Sequence, residues 1–277
     1  MVGDKENKAG KIAVYFLLVI LALAMLVPFA WMLSSSLKLN KDVFTMPMRW
    51  IPENPRYQNY ADIWTIIPLG RFIYNTAKLT VIVTFLQLFT SSLGAYAFAK
   101  LRFKGRDILF MAYIGTIAIP WQAYMVPQFI MMTRFGLNNT HTAIILLQAF
   151  SAFGVFLMRQ FYRSIPDELC EAARIDGLGE FGIWLRIMLP LSKPALATLT
   201  IFTFVTTWND FLGPQIYLIS NELKTIQIGL RMFITQYSSE YGLIMAASCV
   251  ALIPVLIIFL SLQKHFVQGV ASAGIKG

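Results

Sequence analysis

The sequence predicts an all-α polytopic membrane protein with six transmembrane helices, and three observations carry that prediction. Of its 277 residues, 57% are hydrophobic and only 13% charged, against about 45–50% and about 25% in soluble domains. The mean hydropathy is +0.62. Six apolar runs each reach or approach the about 20 residues that cross a ~30 Å hydrocarbon core. The formal net charge of +9 reads as a topology signal, because basic residues of polytopic proteins gather in loops on the cytoplasmic side. A lipid membrane is therefore an expected partner, and nucleic acid is not. Cys170 lies in a charged segment and Cys249 in a separate apolar run, which supports no disulfide framework.

The first run, Ile12–Leu33, follows a basic, polar start and is longer than the about 7–15 residues of a signal-peptide core. It reads as an uncleaved span. Ser34 to Gly70 is polar and proline-rich; it cannot satisfy its backbone in lipid and is expected as an aqueous or interfacial loop. The remaining runs are Phe72–Ala99, Ile108–Met132, Thr142–Phe161, Leu191–Ile219 and Leu243–Leu262. The second and fifth are long enough to include interfacial residues or to tilt. With six spans, four basic clusters share one side: Lys5, Lys8 and Lys11; Lys100, Arg102, Lys104 and Arg106; Arg159, Arg163, Arg174, Arg186 and Lys193; and Lys264 with Lys276. That places both termini in the cytoplasm. The expected organisation is an N-terminal part (1–69) with the first span and an external loop, a five-helix core (70–263) and a cytoplasmic tail (264–277).

Between the fourth and fifth runs lies "EAARIDGLGEFGIWLRIMLP", Glu171 to Pro190, far more polar than its flanks. Ser164 and Asp167 fit an N-cap and capping box, Pro166 suits a first turn, and Gly177 fits the C-terminal stop. The prediction is a helix of about three turns, roughly 17 Å long and too short to span. Ile165, Leu169, Ala172 and Ala173 share one face, and the alanines permit close approach by another surface. A second amphipathic stretch, Phe181–Leu189, leads to Pro190. On periodicity alone two readings stay open: an interfacial anchor, or a docking element.

The spacing Glu171-Ala172-Ala173, three residues, Gly177, nine residues, Ile187, one residue, Leu189-Pro190 resembles without a gap the EAA motif of membrane subunits of bacterial ABC importers. The phrases "NTAKLTVIVTFLQLFTSSLGAYAFAKLRFKGRD" from Asn75, "SIPDELCEAARIDGLGEFGIWLRIMLPLSKPALATL" from Ser164 and "FTFVTTWNDFL" from Phe202 are similar to its carbohydrate-uptake branch, the MalG-like permeases. The likeness covers essentially the whole chain, most strongly Gly70 to Gln263. It implies a type I importer transmembrane domain in the bacterial cytoplasmic membrane, with the segment at about 164–190 as a cytoplasmic coupling loop. It also implies three partners: a second homologous permease, an ATP-binding cassette ATPase dimer that binds ATP and Mg, and an extracytoplasmic sugar-binding protein. In that family Glu171 would contact the ATPase, Ala172 and Ala173 would form the close-packed ridge, and Gly177 would make the turn. Another small solute such as glycerol-3-phosphate is an alternative cargo, and a freestanding secondary transporter is a further one.

The residues themselves agree that this chain is no enzyme. No G-x-x-x-x-G-K-[ST] phosphate loop, H-E-x-x-H or G-x-S-x-G occurs, and His141 and His265 are far apart. No cofactor or metal site is expected in this chain. Polar residues inside apolar runs are costly and so are pathway candidates. Trp208, Asn209 and Asp210 in "TTWNDF" suit a sugar, whose ring offers hydroxyls at its edge and C–H groups on its face; packing against a partner permease is the competing reading. Gln122, between Pro120 and Pro127 of the third run, is the remaining candidate, at a place where a broken helix can open its backbone to a cavity.

Overall fold

The computed structural model describes residues 8–234 and 240–274; Lys5, Lys276 and the His265 side chain lie outside the described residues. The regular elements are helical: α1 (Lys8–Ser36), α2 (Asn59–Ile66), α3 (Leu69–Lys100), α4 (Arg106–Gly115), α5 (Met125–Arg134), α6 (His141–Gln148), α7 (Ala152–Ser164), α8 (Glu168–Ile175), α9 (Glu180–Ile183), α10 (Leu189–Leu191), α11 (Lys193–Trp208), α12 (Leu212–Tyr217), α13 (Ile226–Met232) and α14 (Tyr241–Gly274). Among the described residues four stretches are long and apolar enough to cross a membrane: Gly10–Ser36, Leu69–Lys100, His141–Ser164 and Tyr241–Lys264. A fifth is added if Glu180–Leu191 and Lys193–Trp208, bent by 81°, count as one span.

The third and fifth of the six expected spans are not among these four stretches. The third run, Ile108–Met132, is two ten-residue helices, α4 and α5, joined by short 3-10 turns at Thr116–Ala118 and Trp121–Ala123. Pro120 lacks an N–H and pushes Ile119 out of helical geometry, to φ −87° and ψ 110°. Each piece is about 15 Å long, half of a hydrocarbon core. The fifth run does not continue from Leu191 to Ile219. It bends at the buried Ser192, whose Oγ donates to the Leu189 carbonyl, and it breaks again after Trp208. Pro190 supplies no N–H to the Arg186 carbonyl, and the backbone there widens into a π turn over Trp184–Met188.

The chain forms two compact units, one from residues up to Pro68 with Leu230–Leu252, the other from Leu69–Gly229 with the chain from Ile253 onward. In the first, Asn59 Nδ2 on α2 donates to the carbonyls of Ser36 and Lys38 at 2.8 and 2.9 Å, tying α2 to the end of α1. Lys38 is buried; its ammonium donates to the Arg49 carbonyl at 2.6 Å and lies 4.0 Å over the Trp31 ring.

In the second unit α3 is the central helix, packed along α7 and α11. One core gathers Tyr96, Met158, Tyr162, Trp184 and Leu199. Arg159 on α7 fastens the start of α4 to it: Nη2 donates to Asp107 at 3.0 Å, Nε donates to the Phe98 carbonyl at 3.1 Å, and the guanidinium lies 3.8 Å over Phe110. A buried cation so fully partnered is a staple between helices. At another core, around Leu79, Met132 and Ile144, Asn139 adopts a left-handed φ of 56° and its Oδ1 accepts from the N–H groups of Ile219 and Ser220, both at 2.9 Å.

Candidate functional site

Two places in the second unit bear on the sequence candidates: the surface around α8 and a cavity bounded by α3, α6, α7 and α11. The helix α8 has two turns, not three, because Ser164 is the last residue of α7 and its Oγ turns back to the Phe161 carbonyl at 2.7 Å. Ile165 is extended ahead of Pro166, as the proline ring demands. The helix ends as its sequence requires. Gly177 takes φ +82° and donates to the Arg174 carbonyl, while Leu178 donates to Ala173, each at 3.0 Å. This pair of bonds is a Schellman motif, which favours glycine at the left-handed position.

Side chains clamp α8 from both ends. Lys100, at the end of α3 with a side chain only 3% exposed, donates to the Ile165 carbonyl at 2.6 Å and pairs with Asp167. Its ammonium holds the Asp167 carboxyl below the usual carboxylate range. At the far end Arg174 grips Glu180 through Nε at 2.7 Å and Nη2 at 3.3 Å, and Tyr96 on α3 donates to the same carboxylate. The ion pair raises the Arg174 guanidinium above its ordinary value. Loosening either clamp should uncover Cys170, which is 1% exposed with its Sγ 3.7 Å from Met188 Sδ. A Glu180→Gln or Lys100→Met chain is expected to react with a maleimide at Cys170 at least about fivefold faster, the factor that about 1 kcal/mol of lost docking gives; an unchanged rate would show that packing alone holds α8.

The expected alanine ridge is divided. Ala173, with Cys170, turns inward against the core of Tyr96, Tyr162 and Trp184, whereas Ala172 points outward. One residue is about 100° of helix rotation, enough to separate the two. The outward face carries Leu169, Ala172 and the 87% exposed Ile175 beside Glu168 and Glu171. Ile187 and Leu189 pack half-buried on the flank of the same core, and Pro190 is exposed at the bend. The motif thus encloses one core while presenting Glu171, Ala172 and Gly177 at the surface.

The cavity has a volume of about 580 Å³, within the range of small-molecule sites. Its polar lining is amide-rich: Gln87 on α3, Gln128 on α5 and Gln148 at the end of α6, with Asp210 beside Gly213. Trp121, Tyr124, Phe153, Phe202 and Tyr217 supply aromatic surface. A hydrogen-bonded chain crosses the wall. Thr203 donates to Gln87 Oε1 at 3.0 Å, Gln87 donates to the Gln148 carbonyl at 2.7 Å, and Gln148 Nε2 donates to Asp210 Oδ2 at 2.7 Å. Trp121 is oriented by its Nε1 donating to Gln128 Oε1 at 2.8 Å.

Among the sequence candidates for the pathway, Asp210 lines this cavity, while Trp208, Asn209 and Gln122 do not. Trp208 is buried and stacks on Phe204 at 5.6 Å. Asn209 is exposed, its amide turned back to the Val205 carbonyl and its Oδ1 accepting from Gln227. Gln122 is exposed in the break after α4, and its neighbour Trp121 faces the cavity instead. Gln87 and Gln148 escaped the sequence reading, although the cost of a polar side chain within an apolar run flags both.

Comparison with known proteins gives concordant matches. A profile described as binding-protein-dependent transport system inner membrane component matches residues 87–272. The arabinooligosaccharides transport system permease protein AraQ of Bacillus subtilis (strain 168) is 35% identical over 272 residues, 96% of each chain. The lactose transport system permease protein LacG of Rhizobium radiobacter is 32% identical, covering 97% of this chain and 98% of its own. Among solved structures, a chain of a bacterial ABC transporter involved in the import of the acidic polysaccharide alginate superposes with a TM-score of 0.81 at 26% identity, covering 96% of this chain and 99% of that one.

Proposed function

The chain belongs to the family of binding-protein-dependent transport system inner membrane components, and on that basis we propose that it is one permease of a sugar- or oligosaccharide-importing ABC transporter. The observation that carries the sugar reading is the cavity, whose amides can exchange hydrogen bonds with hydroxyls and whose aromatic surface suits the C–H faces of a pyranose or furanose. Relatives named for arabinooligosaccharides and lactose support the same cargo class. The named import of an acidic polysaccharide by the structural neighbour leaves the charge of that cargo open.

In this reading the third span is the broken pair α4 and α5, which brings the membrane crossings to six, with α8 on the cytoplasmic side as the coupling helix. A short helix clamped at both ends to α3 can pass a rigid-body movement to the cavity wall, because Lys100, Tyr96 and Gln87 lie on that one helix. ATP with Mg is bound and hydrolysed by a partner ATPase dimer, and a second permease supplies the other docking helix that a two-fold engine requires. An extracytoplasmic binding protein delivers the cargo.

The test is to capture the tagged chain from its membrane, identify the chains that come with it, and measure ATP-driven uptake after reconstitution with the binding protein. A P-loop ATPase and a second EAA-bearing permease are expected; recovery of this chain alone, able to transport, would overturn the proposal. The divided ridge makes a sharper prediction. Ala172→Leu, at an exposed position, is expected to leave Tm unchanged and lower uptake at least about tenfold, the equivalent of about 1.4 kcal/mol of lost docking. Ala173→Leu, packed inward, should instead cost about 1–3 kcal/mol of stability.

A further inference from the structure

We propose that this chain's wall of the pathway admits uncharged glycans and excludes anionic ones such as uronates and sugar phosphates, with Asp210 as the residue that sets the discrimination. The proposal rests on the transport reading above and deepens it. Among the described residues lining the cavity there is no lysine, arginine or histidine, and Asp210 is the one charged side chain. Carboxylate and phosphate ligands are ordinarily met by cationic donors. Here they meet amides, hydroxyls, aromatic rings and a like charge.

The carboxylate is built into the wall. Gln148 Nε2 donates to its Oδ2 at 2.7 Å and the Gly213 N–H donates to its Oδ1 at 3.2 Å. Gly213 also makes room for it, since a Cβ at that position would come within 2.6 Å of Oδ2. These donors are neutral, and no cationic side chain among the described lining residues stands against the Asp210 carboxylate. A neutral glycan can accept from or donate to the amide-rich wall at no Coulomb cost. An anion within several ångströms of Asp210, in a site less polarisable than water, is disfavoured by about tenfold or more.

The experiment uses the assembled complex in liposomes, with Cys170→Ala and Cys249→Ala in this chain and Thr206→Cys or, separately, Tyr124→Cys as a reporter on the cavity wall. Rates of modification by cationic, neutral and anionic methanethiosulfonates are read on this chain by mass, each divided by its rate with a free thiol. The anionic reagent is expected to react about tenfold more slowly than the cationic one. In an Asp210→Asn chain that ratio should fall within about twofold of unity with the neutral rate unchanged. Raising the salt from about 20 mM to about 500 mM should shrink the ratio without any substitution at Asp210. A ratio near one in the parent, a ratio that survives both Asp210→Asn and salt, or no reaction at Thr206→Cys and at Tyr124→Cys overturns the proposal. Uptake of maltotriose and of other neutral trisaccharides in the same liposomes tests the transport reading separately. Uptake without a charge ratio sinks only the discrimination, and a charge ratio without any ATP-driven uptake sinks only the transport.

Discussion

A Gly177→Val chain is expected to assemble with its partners and yet lose most of its uptake, whereas Gly177→Asn should stay close to the parent. Gly177 sits at φ +82°, and a Cβ placed there would meet nothing within 4 Å. The cost of a side chain is therefore conformational. An L-residue in the left-handed region costs about 1–2 kcal/mol, more for a β-branched one, while asparagine visits that region readily. Val would unwind the bonds from Gly177 and Leu178 to the end of α8 and displace Glu180, three residues on, from Arg174 and Tyr96. A shift of 1–2 kcal/mol lowers the docked population about 5- to 30-fold, to be read as uptake per ATP hydrolysed. Should Asn prove as damaging as Val, the backbone account fails and Gly177 would instead be required for close approach by a partner surface.

The second large effect is expected at Gly154, where α7 crosses α3 and α11. A Cβ there would lie 2.3 Å from Ser91 Oγ, 3.0 Å from Ser91 Cβ and 3.3 Å from Leu199 Cδ1. Ser91 is fully buried. Small residues at such crossings let helices approach until dispersion contacts hold them, which is the main force available in lipid. Gly154→Ala is expected to cost about 1–3 kcal/mol as a lowered Tm in detergent, and Gly154→Val more, to the point of failed assembly. Adding Ser91→Gly to Gly154→Ala should restore most of the loss. If the double variant is no more stable than Gly154→Ala, the clash with Ser91 is not the cause. The same crossing frames the cavity, since Gln87, Phe153 and Phe202 come from α3, α7 and α11.

How far the sequence could be read varied with the range of the interaction concerned. Composition and run length are local, and they were enough to establish a helical membrane protein. The spacing from Glu171 to Pro190 was enough to mark the segment around α8, and Gly177 could be recognised as a turn because a helix stop depends on the few residues around it. Helix breaks were partly legible: Pro120 and Pro127 signalled trouble in the third run, and the outcome was two ten-residue helices. Ser164 reads as a cap in the sequence but closes α7 in the structure, because its hydroxyl can satisfy either the helix before it or the one after it and the choice falls to the packing of α7.

By itself, then, the sequence determined the class of protein, the position of the charged segment and the residues of its motif. Only the tertiary structure decided which way each of them faces. Ala172 and Ala173 are chemically identical neighbours, and what separates them is the core of Tyr96, Tyr162 and Trp184 on one side of α8. The cavity wall depends on bonds between residues 61, 62 and 116 positions apart, from Gln87 to Gln148, Gln148 to Asp210 and Thr203 to Gln87. No periodicity encodes such pairings. They arise because helices distant in sequence pack into one unit, where each buried polar group must find whatever partner the packing brings within reach.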